Sequence, residues 1–140
     1  MTPAPAPSGR TPGVGVRVLV CEDAPGYRLM LRVTLEDAGM DVVGEAAAWE
    51  EAVAQATEHA PDVMLVDLWL PTRDDEALRR LREAAPHAQF VALTGLSVEE
   101  ATEAIGPLGI ADLILSKREA MDSLVRVLQA HLDKVGDSAA

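Results

Sequence analysis

The sequence predicts an α/β fold, a five-stranded parallel sheet doubly wound by five helices. Between residues 16 and 132, short aliphatic runs alternate five times with longer segments of helical periodicity, a pattern typical of parallel sheets. One of these runs, residues 63–67 (VMLVD), is almost entirely apolar, which indicates a strand buried on both faces. Hydrophobic residues make up 49% of the 140-residue chain, enough for one core and one domain.

Local signals support the individual elements. The first strand is predicted at residues 16–21 and the first helix at 25–38, because proline is tolerated in a first helical turn and Gly39 can end the helix. Ser97 precedes Glu100 by three positions, the spacing of a capping box, and so begins the fourth helix. The other predicted strands are 41–45, 63–67, 90–93 and 113–115, and the other helices are 49–59, 74–84 and a last one whose apolar face includes Leu124, Leu128 and Leu132.

The two ends of the chain differ in composition from its middle. Residues 1–15 carry four prolines among Ala, Ser, Thr and Gly, a composition that buries little apolar surface, so we expect a disordered tail there. Residues 16–134 form the predicted domain. Residues 135–140 are small and polar, and we expect them to form a flexible C-terminal tail.

Composition and charge narrow the class of function. Twelve basic and 23 acidic residues leave a net charge of −11, which argues against direct binding to nucleic acid or to an anionic membrane. The longest stretch without Asp, Glu, Lys or Arg, residues 84–98, contains Pro86, so we expect no membrane span. Cys21 is the single cysteine, which excludes an internal disulfide and suits a cytoplasmic protein.

Polar residues follow four of the five predicted strands. In open parallel sheets, ligands bind beyond the carboxyl ends of the strands. Taken singly, these residues have ordinary explanations as helix caps, turn residues or surface charges. The residues are Glu22 and Asp23 after the first strand, Asp67 after the third, Thr94 after the fourth, and Ser116 and Lys117 after the fifth.

Together these residues predict a chemistry. In the flavodoxin-like strand order 2-1-3-4-5 the first and third strands are neighbours, so Glu22, Asp23 and Asp67 converge. Two like charges about 4 Å apart repel by roughly 4 kcal/mol at an effective dielectric near 20, so the cluster needs a cation or a raised carboxyl pKa. Oxygen ligands suit Mg²⁺. Thr94 and Lys117 suit an anionic phosphoryl group. The set predicts phosphoryl transfer to an aspartate.

From residue 16 to about 132 the chain resembles a receiver domain of a two-component response regulator. The matching features are the acidic pair Glu22-Asp23, Asp67 after VMLV, Pro71 beyond it, the pair Thr94-Gly95, and Lys117. Five spaced positions in one α/β frame make the resemblance specific. Residues 42–46 (VVGEA) also resemble receivers that carry a helix-turn-helix output domain.

The resemblance implies a role for each site residue. Asp67 would be the phosphoacceptor, and Mg²⁺ or Mn²⁺ would be bound by Asp23, Asp67 and the backbone carbonyl of Trp69. Glu22 would act on the metal through water. Lys117 would pair with the acyl phosphate, and Thr94 would turn toward the phosphoryl oxygens. Such a domain catalyses only its own phosphorylation and dephosphorylation and is not a turnover enzyme.

The chain departs from the family pattern at four positions. Ile114 stands three residues before Lys117, where the family usually has Tyr or Phe, which puts the standard output switch in doubt. Arg118 replaces a common Pro, and Asp75 a common Gly. Trp69 is bulky for the rim of a site, and we expect it to slow access of the hydrolytic water.

The resemblance also implies partners, and rival functions stay open. The phosphodonor would be a sensor histidine kinase or a small molecule, and the unknown output protein or domain, or a second copy, would dock on the last two helices and last strand. Both a stand-alone receiver and a fragment of a longer regulator fit. A pseudo-receiver that binds proteins without phosphate is the main alternative. A haloacid-dehalogenase-type phosphatase would need Asp where Trp69 stands, and a flavodoxin phosphate loop would not be acidic.

Overall fold

The computed structural model describes residues 15–70 and 72–139, and it confirms the predicted fold class. Residues 1–14 of the predicted tail and Pro71 lie outside the described residues. Five parallel strands form one sheet in the order β2-β1-β3-β4-β5. The strands are β1 (Arg17–Cys21), β2 (Asp41–Ala46), β3 (Val63–Asp67), β4 (Gln89–Thr94) and β5 (Leu113–Ser116). The helices are α1 (Pro25–Asp37), α2 (Trp49–His59), α3 (Asp75–Ala84), α4 (Val98–Ile105) and α5 (Lys117–Ala139), with a 3₁₀ turn at Gly106–Leu108.

Both faces of the sheet are covered, which explains the apolar run in β3. All five residues of β3 are buried, and alternate side chains point to opposite faces. On one face, Val63 and Leu65 pack in a core with residues of α1 and α5. On the other, Met64 and Val66 pack with residues of α2, α3 and α4.

The strand register brings the carboxyl ends of the central strands to one edge. Cys21 of β1 pairs with Val66 of β3, and Asp67 of β3 pairs with Leu93 of β4. Thr94 pairs with Ser116 at the ends of β4 and β5. The loops that leave these strands therefore begin side by side.

Side chains at the N-termini of α3 and α4 accept hydrogen bonds from backbone amides in the first turn of each helix. Ser97 Oγ accepts a hydrogen bond of 3.1 Å from Glu100 N, as the spacing predicted. Asp74 is the N-cap of α3 rather than its first residue, because its side chain accepts from Ala77 N at 3.0 Å. The Gly in the VVGEA run lies close to α2: a Cβ on Gly44 would collide with the side chain of Gln55.

Helix α5 extends at both ends beyond the apolar face that the sequence indicated. It begins at Lys117 because Ser116 Oγ accepts from Glu119 N at 3.1 Å, a cap of the same kind as that of α4. Ser123 has non-helical backbone angles and separates the first turns from the rest. The helix continues to Ala139, beyond position 134, since no proline interrupts it. The domain boundaries themselves stay a prediction. No helix in the described part of the chain is long and apolar enough to cross a membrane.

Candidate functional site

Three carboxylates meet at the carboxyl edge of the sheet. Glu22 and Asp23 follow β1, and Asp67 ends β3, so that one oxygen of each lies within 4.8 Å of the others. Glu22 is fully buried and Asp67 is 3% exposed, whereas Asp23 is exposed. The three acids thus lie close together, as predicted. Glu22 and Asp67 are buried, and Asp23 faces solvent.

Lys117 supplies the cation of the cluster. Its Nζ lies 3.1 Å from Asp67 Oδ2 and 2.6 Å from Glu22 Oε1. Burial of the ammonium lowers the pKa of Lys117, but contact with Glu22 and the charge of Asp67 outweigh burial, so the pKa of Lys117 is raised overall. The ammonium therefore stays charged, and one ammonium among three clustered carboxylates leaves negative charge in excess.

Glu22 is fixed by its own loop and by a neighbouring arginine. Its Oε2 accepts from Ala24 N at 3.1 Å, and its backbone carbonyl accepts from Arg28 at 2.9 Å. Arg28 is itself paired with Glu45 of β2 at 3.2 Å. Burial raises the pKa of Glu22, and the Asp67 charge adds to this, while Lys117 and the Ala24 amide oppose it.

Each oxygen of Asp67 has one partner. Oδ1 accepts from the backbone amide of Trp69 at 2.9 Å, and Oδ2 pairs with Lys117. The Trp69 side chain is 45% exposed, in the loop that immediately follows β3. The role of the Trp69 carbonyl stays a prediction.

Thr94 and Ile114 lie on the other side of the site. Thr94 is buried, and its Oγ1 accepts from Leu96 N at 2.9 Å. It lines one cavity together with Lys117 and Arg118. Ile114 pairs with Ala92 in the sheet and packs against the core on the face of α2, α3 and α4. The residue at the usual aromatic position is thus a packing residue.

A profile of the response regulator receiver domain matches residues 18–129 of the chain. The chain belongs to the response regulator receiver family. Receivers are signalling domains of two-component systems, and they interact with histidine kinases and output domains. They bind Mg²⁺ at an acidic pocket, and the carboxylate cluster is able to hold a metal.

The chain is similar to regulatory proteins of other bacteria. The chain is 35% identical over 108 residues to the transcriptional regulatory protein PdtaR of Mycobacterium tuberculosis, an alignment that covers 70% of this chain and 53% of that protein. A LuxR-family response regulator from Aurantimonas has a TM-score of 0.73 at 28% identity, over 84% of this chain and 85% of that one. This chain spans about half or less of the length of the first curated relatives that it matches.

A second similar structure contains a phosphorylated aspartic acid. A response regulator from Burkholderia pseudomallei, solved with a phosphorylated aspartic acid, a calcium ion and citrate, has a TM-score of 0.69 at 26% identity. The match covers 89% of this receiver and 73% of that chain.

The donor set of this receiver fits a hard divalent cation. The cluster offers carboxylate oxygens alone, which is the chemistry that Mg²⁺ prefers. The excess of negative charge over Lys117 gives a cation an electrostatic reason to bind. Asp23 is the acid of the cluster that is exposed to solvent. Both buried acids have protein partners, Glu22 in Lys117 and the Ala24 amide and Asp67 in Lys117 and the Trp69 amide.

Two residues beside the site were missed by sequence reasoning. Arg28 holds the carbonyl of Glu22, and a basic residue one turn beyond the acidic pair was a usable signal. Tyr27 donates from its hydroxyl to the carbonyl of Lys117 at 2.9 Å, and Lys117 Nζ lies 4.9 Å from its ring centre.

Proposed function

We propose that this receiver accepts a phosphoryl group on Asp67, in a Mg²⁺-dependent reaction, from a sensor histidine kinase or a small phosphodonor. The observation that carries the proposal is the convergence of Glu22, Asp23 and Asp67 within 4.8 Å, with Lys117 3.1 Å from Asp67. Phosphoryl transfer to a carboxylate requires a carboxylate nucleophile, ligands for a metal ion and a positively charged side chain. The phosphorylated aspartic acid in the similar Burkholderia structure supports the same chemistry.

The transfer is a nucleophilic substitution at phosphorus. An oxygen of Asp67 attacks the phosphorus and forms a new P–O bond. The bond from phosphorus to the donor breaks, and its electron pair leaves with the donor, as a carboxylate from an acyl phosphate or as the ring nitrogen of a phosphohistidine. In later hydrolysis a water oxygen attacks the phosphorus, the bond between phosphorus and the Asp67 oxygen breaks, and its electron pair stays with the carboxylate as inorganic phosphate leaves.

Each site residue has a defined part in this step. Asp23, Asp67 and the Trp69 carbonyl would hold Mg²⁺, which neutralises phosphoryl charge when bound, and Glu22 would act on it through water. Lys117 supplies a mobile positive charge for the phosphoryl oxygens. Thr94 would exchange its bond to the Leu96 amide for one to the phosphoryl group, and so report phosphorylation.

Intact mass spectrometry tests the proposal directly. The receiver is incubated with Mg²⁺ and a small acyl phosphate, beside Asp67→Asn, which keeps the size of the side chain. We expect one phosphoryl adduct on the native chain and none on the variant. An adduct of equal yield on Asp67→Asn would contradict the assignment of the acceptor.

A pseudo-receiver is the second candidate function, and Ile114 and Arg118 favour it. Such a domain would bind its partner equally well in any phosphorylation state and would bind Mg²⁺ weakly. Calorimetric titration with Mg²⁺ separates the two candidates. Absence of both Mg²⁺ binding and adduct formation would favour the pseudo-receiver.

The output surface of the proposed receiver is formed by α4, β5 and α5. An output protein or domain, or a second copy, would dock there when phosphorylation shifts this surface. A typical coupling free energy between two sites is about 1–3 kcal/mol, and we expect less here because Ile114, which packs against the core, replaces the usual aromatic side chain. We place the receiver in the cytoplasm, since its one cysteine, Cys21, is buried and suits a reducing compartment.

A further inference from the structure

The ammonium of Lys117 is contacted by three side chains from three other parts of the fold. Glu22 and Asp67 contact it from the ends of β1 and β3 at 2.6 and 3.1 Å. Tyr27, in the first turn of α1, brings its ring centre to 4.9 Å from the same nitrogen. The ring face of an aromatic residue attracts a cation at this distance.

Tyr27 contacts Lys117 a second time, through the backbone. Its hydroxyl donates to the Lys117 carbonyl at 2.9 Å, across 90 positions of the sequence. One side chain thus fixes both the main chain and the charged tip of Lys117. A lysine stem is flexible, so two restraints on one lysine favour a single placement of its charge.

The segment that carries Lys117 needs such a restraint because it is set apart from the rest of its helix. The first turns of α5 are separated from the rest of the helix by the non-helical angles at Ser123. On the other side, Tyr27 packs against the core that α1 and α5 share, which includes Leu31 and Leu124. Tyr27 therefore joins the start of α5 to α1 directly above the site.

We propose that Tyr27 is a positioning residue for Lys117 and that its ring responds when Asp67 is phosphorylated. The inference rests on the function proposed above. Phosphorylation replaces the Asp67 carboxylate by a more highly charged phosphoryl group, which draws the ammonium of Lys117 toward its oxygens. The ammonium then changes its position over the ring, and α1 receives the signal. With Ile114 at the usual aromatic position, Tyr27 is the aromatic side chain that contacts Lys117.

Rates of adduct formation test the positioning role. The native receiver, Tyr27→Phe and Tyr27→Leu are phosphorylated by a small acyl phosphate with Mg²⁺ and followed by intact mass. We expect Tyr27→Phe, which keeps the ring, to react within about twofold of the native rate, and Tyr27→Leu to react about tenfold more slowly. Leu29→Ala is the matched control, because Leu29 lies on α1 and is 60% exposed. Equal rates for Tyr27→Leu and the native chain would overturn the positioning role.

Fluorine NMR tests the response of the ring. Tyr27 is the only tyrosine, so 3-fluorotyrosine places a single reporter in the full chain. We expect its resonance to shift when Mg²⁺ and beryllofluoride, a phosphoryl mimic, are added, and to stay unchanged in Asp67→Asn. Calorimetric binding of the mimic without a shift would overturn the inference and leave the proposed function standing. Failure of the native chain to bind the mimic, Mg²⁺ or phosphate would overturn both.

Discussion

At the scale of single residues, the position of Asp67 at a strand end accounts for its contacts. The strand delivers its side chain to the edge of the sheet, where the backbone of the next loop turns back to donate from Trp69 N. The second oxygen is left for Lys117. Asp67 is consequently both buried and charged, which is tolerable because each oxygen has a partner.

Tyr27 should ionise only in strongly alkaline solution. Burial raises the pKa of Tyr27 to about 12, with Lys117 opposing the shift and Glu22 and Asp67 adding to it. Because this pKa lies above the value near 10 in an unfolded chain, the group contributes stability that is complete below about pH 10 and is lost as pH rises through the folded pKa. Tyrosinate absorbance of the single tyrosine measures this. A midpoint near 10 while circular dichroism still reports a folded chain would contradict the prediction.

Removing the Trp69 ring should shorten the life of the phosphorylated state. The ring is 45% exposed in the loop that follows Asp67, where it can hinder the hydrolytic water. We expect Trp69→Ala to lose its phosphoryl group about threefold to tenfold faster, equivalent to roughly 1 kcal/mol of barrier. Decay of the mass adduct after donor removal is the measurement, with Trp49→Phe as the control. An unchanged or longer lifetime would show that Trp69 does not shield the site.

At the scale of elements, the strands were the most predictable part of the molecule. Residues 63–67 are apolar because helices cover both faces of β3, and that requirement is visible in one sequence. The start of α5 was missed although Ser116 and Glu119 have the same spacing as Ser97 and Glu100. Ser116 is both the last residue of β5 and the cap of α5, and its place at a strand end conceals its role as a cap.

The site was predictable to the extent that strand order determines it. Glu22, Asp23, Asp67 and Lys117 follow strands, so the sheet topology alone brings them to one edge. Tyr27 and Arg28 act through α1, and their contacts depend on where that helix sits over the sheet. No local pattern reports that a tyrosine hydroxyl meets a carbonyl 90 positions away.

Among the arginines of α3, we expect replacement of Arg82 to lower the free energy of unfolding most. It donates to the carbonyl of Pro86 at 2.8 Å and to Asp112 at 3.0 Å, and it also reaches the Ala85 and Ala88 carbonyls. We expect Arg82→Met to lower the free energy of unfolding by about 2–3 kcal/mol, because these acceptors lose a charged donor. Urea unfolding measures this against Arg80→Met, since Arg80 is exposed on the same helix. Equal midpoints would refute it.

At the scale of the whole molecule, the site and the core are separate. The two buried clusters hold the helices on the sheet, while the acidic site adds like charges to a chain of net charge −11. Cations that bind only the folded chain should therefore stabilise it.

Mg²⁺ should raise the stability of the native receiver. At a concentration a hundredfold above its dissociation constant, a ligand specific for the folded state contributes about 2.7 kcal/mol. We expect Asp23→Asn to lose most of this gain. Asp41→Asn should keep it, because Asp41 is exposed at the start of β2, at the opposite edge of the sheet. Urea unfolding with Mg²⁺ or with a chelator gives the values, and an equal gain in both variants would argue against the cluster as the binding site.

The two tryptophans of the chain occupy contrasting positions. The indole N–H of Trp49 donates to the Thr72 carbonyl at 2.8 Å, which anchors it to the neighbouring loop, whereas Trp69 follows Asp67 with its ring 45% exposed. Replacing Trp49 by Phe would leave one fluorophore at the mouth of the site. Its emission wavelength and its quenching could then report phosphorylation and dephosphorylation in real time, without an external dye. The bulky side chain of Trp69 would thus serve as an intrinsic optical probe of the signalling state of the domain.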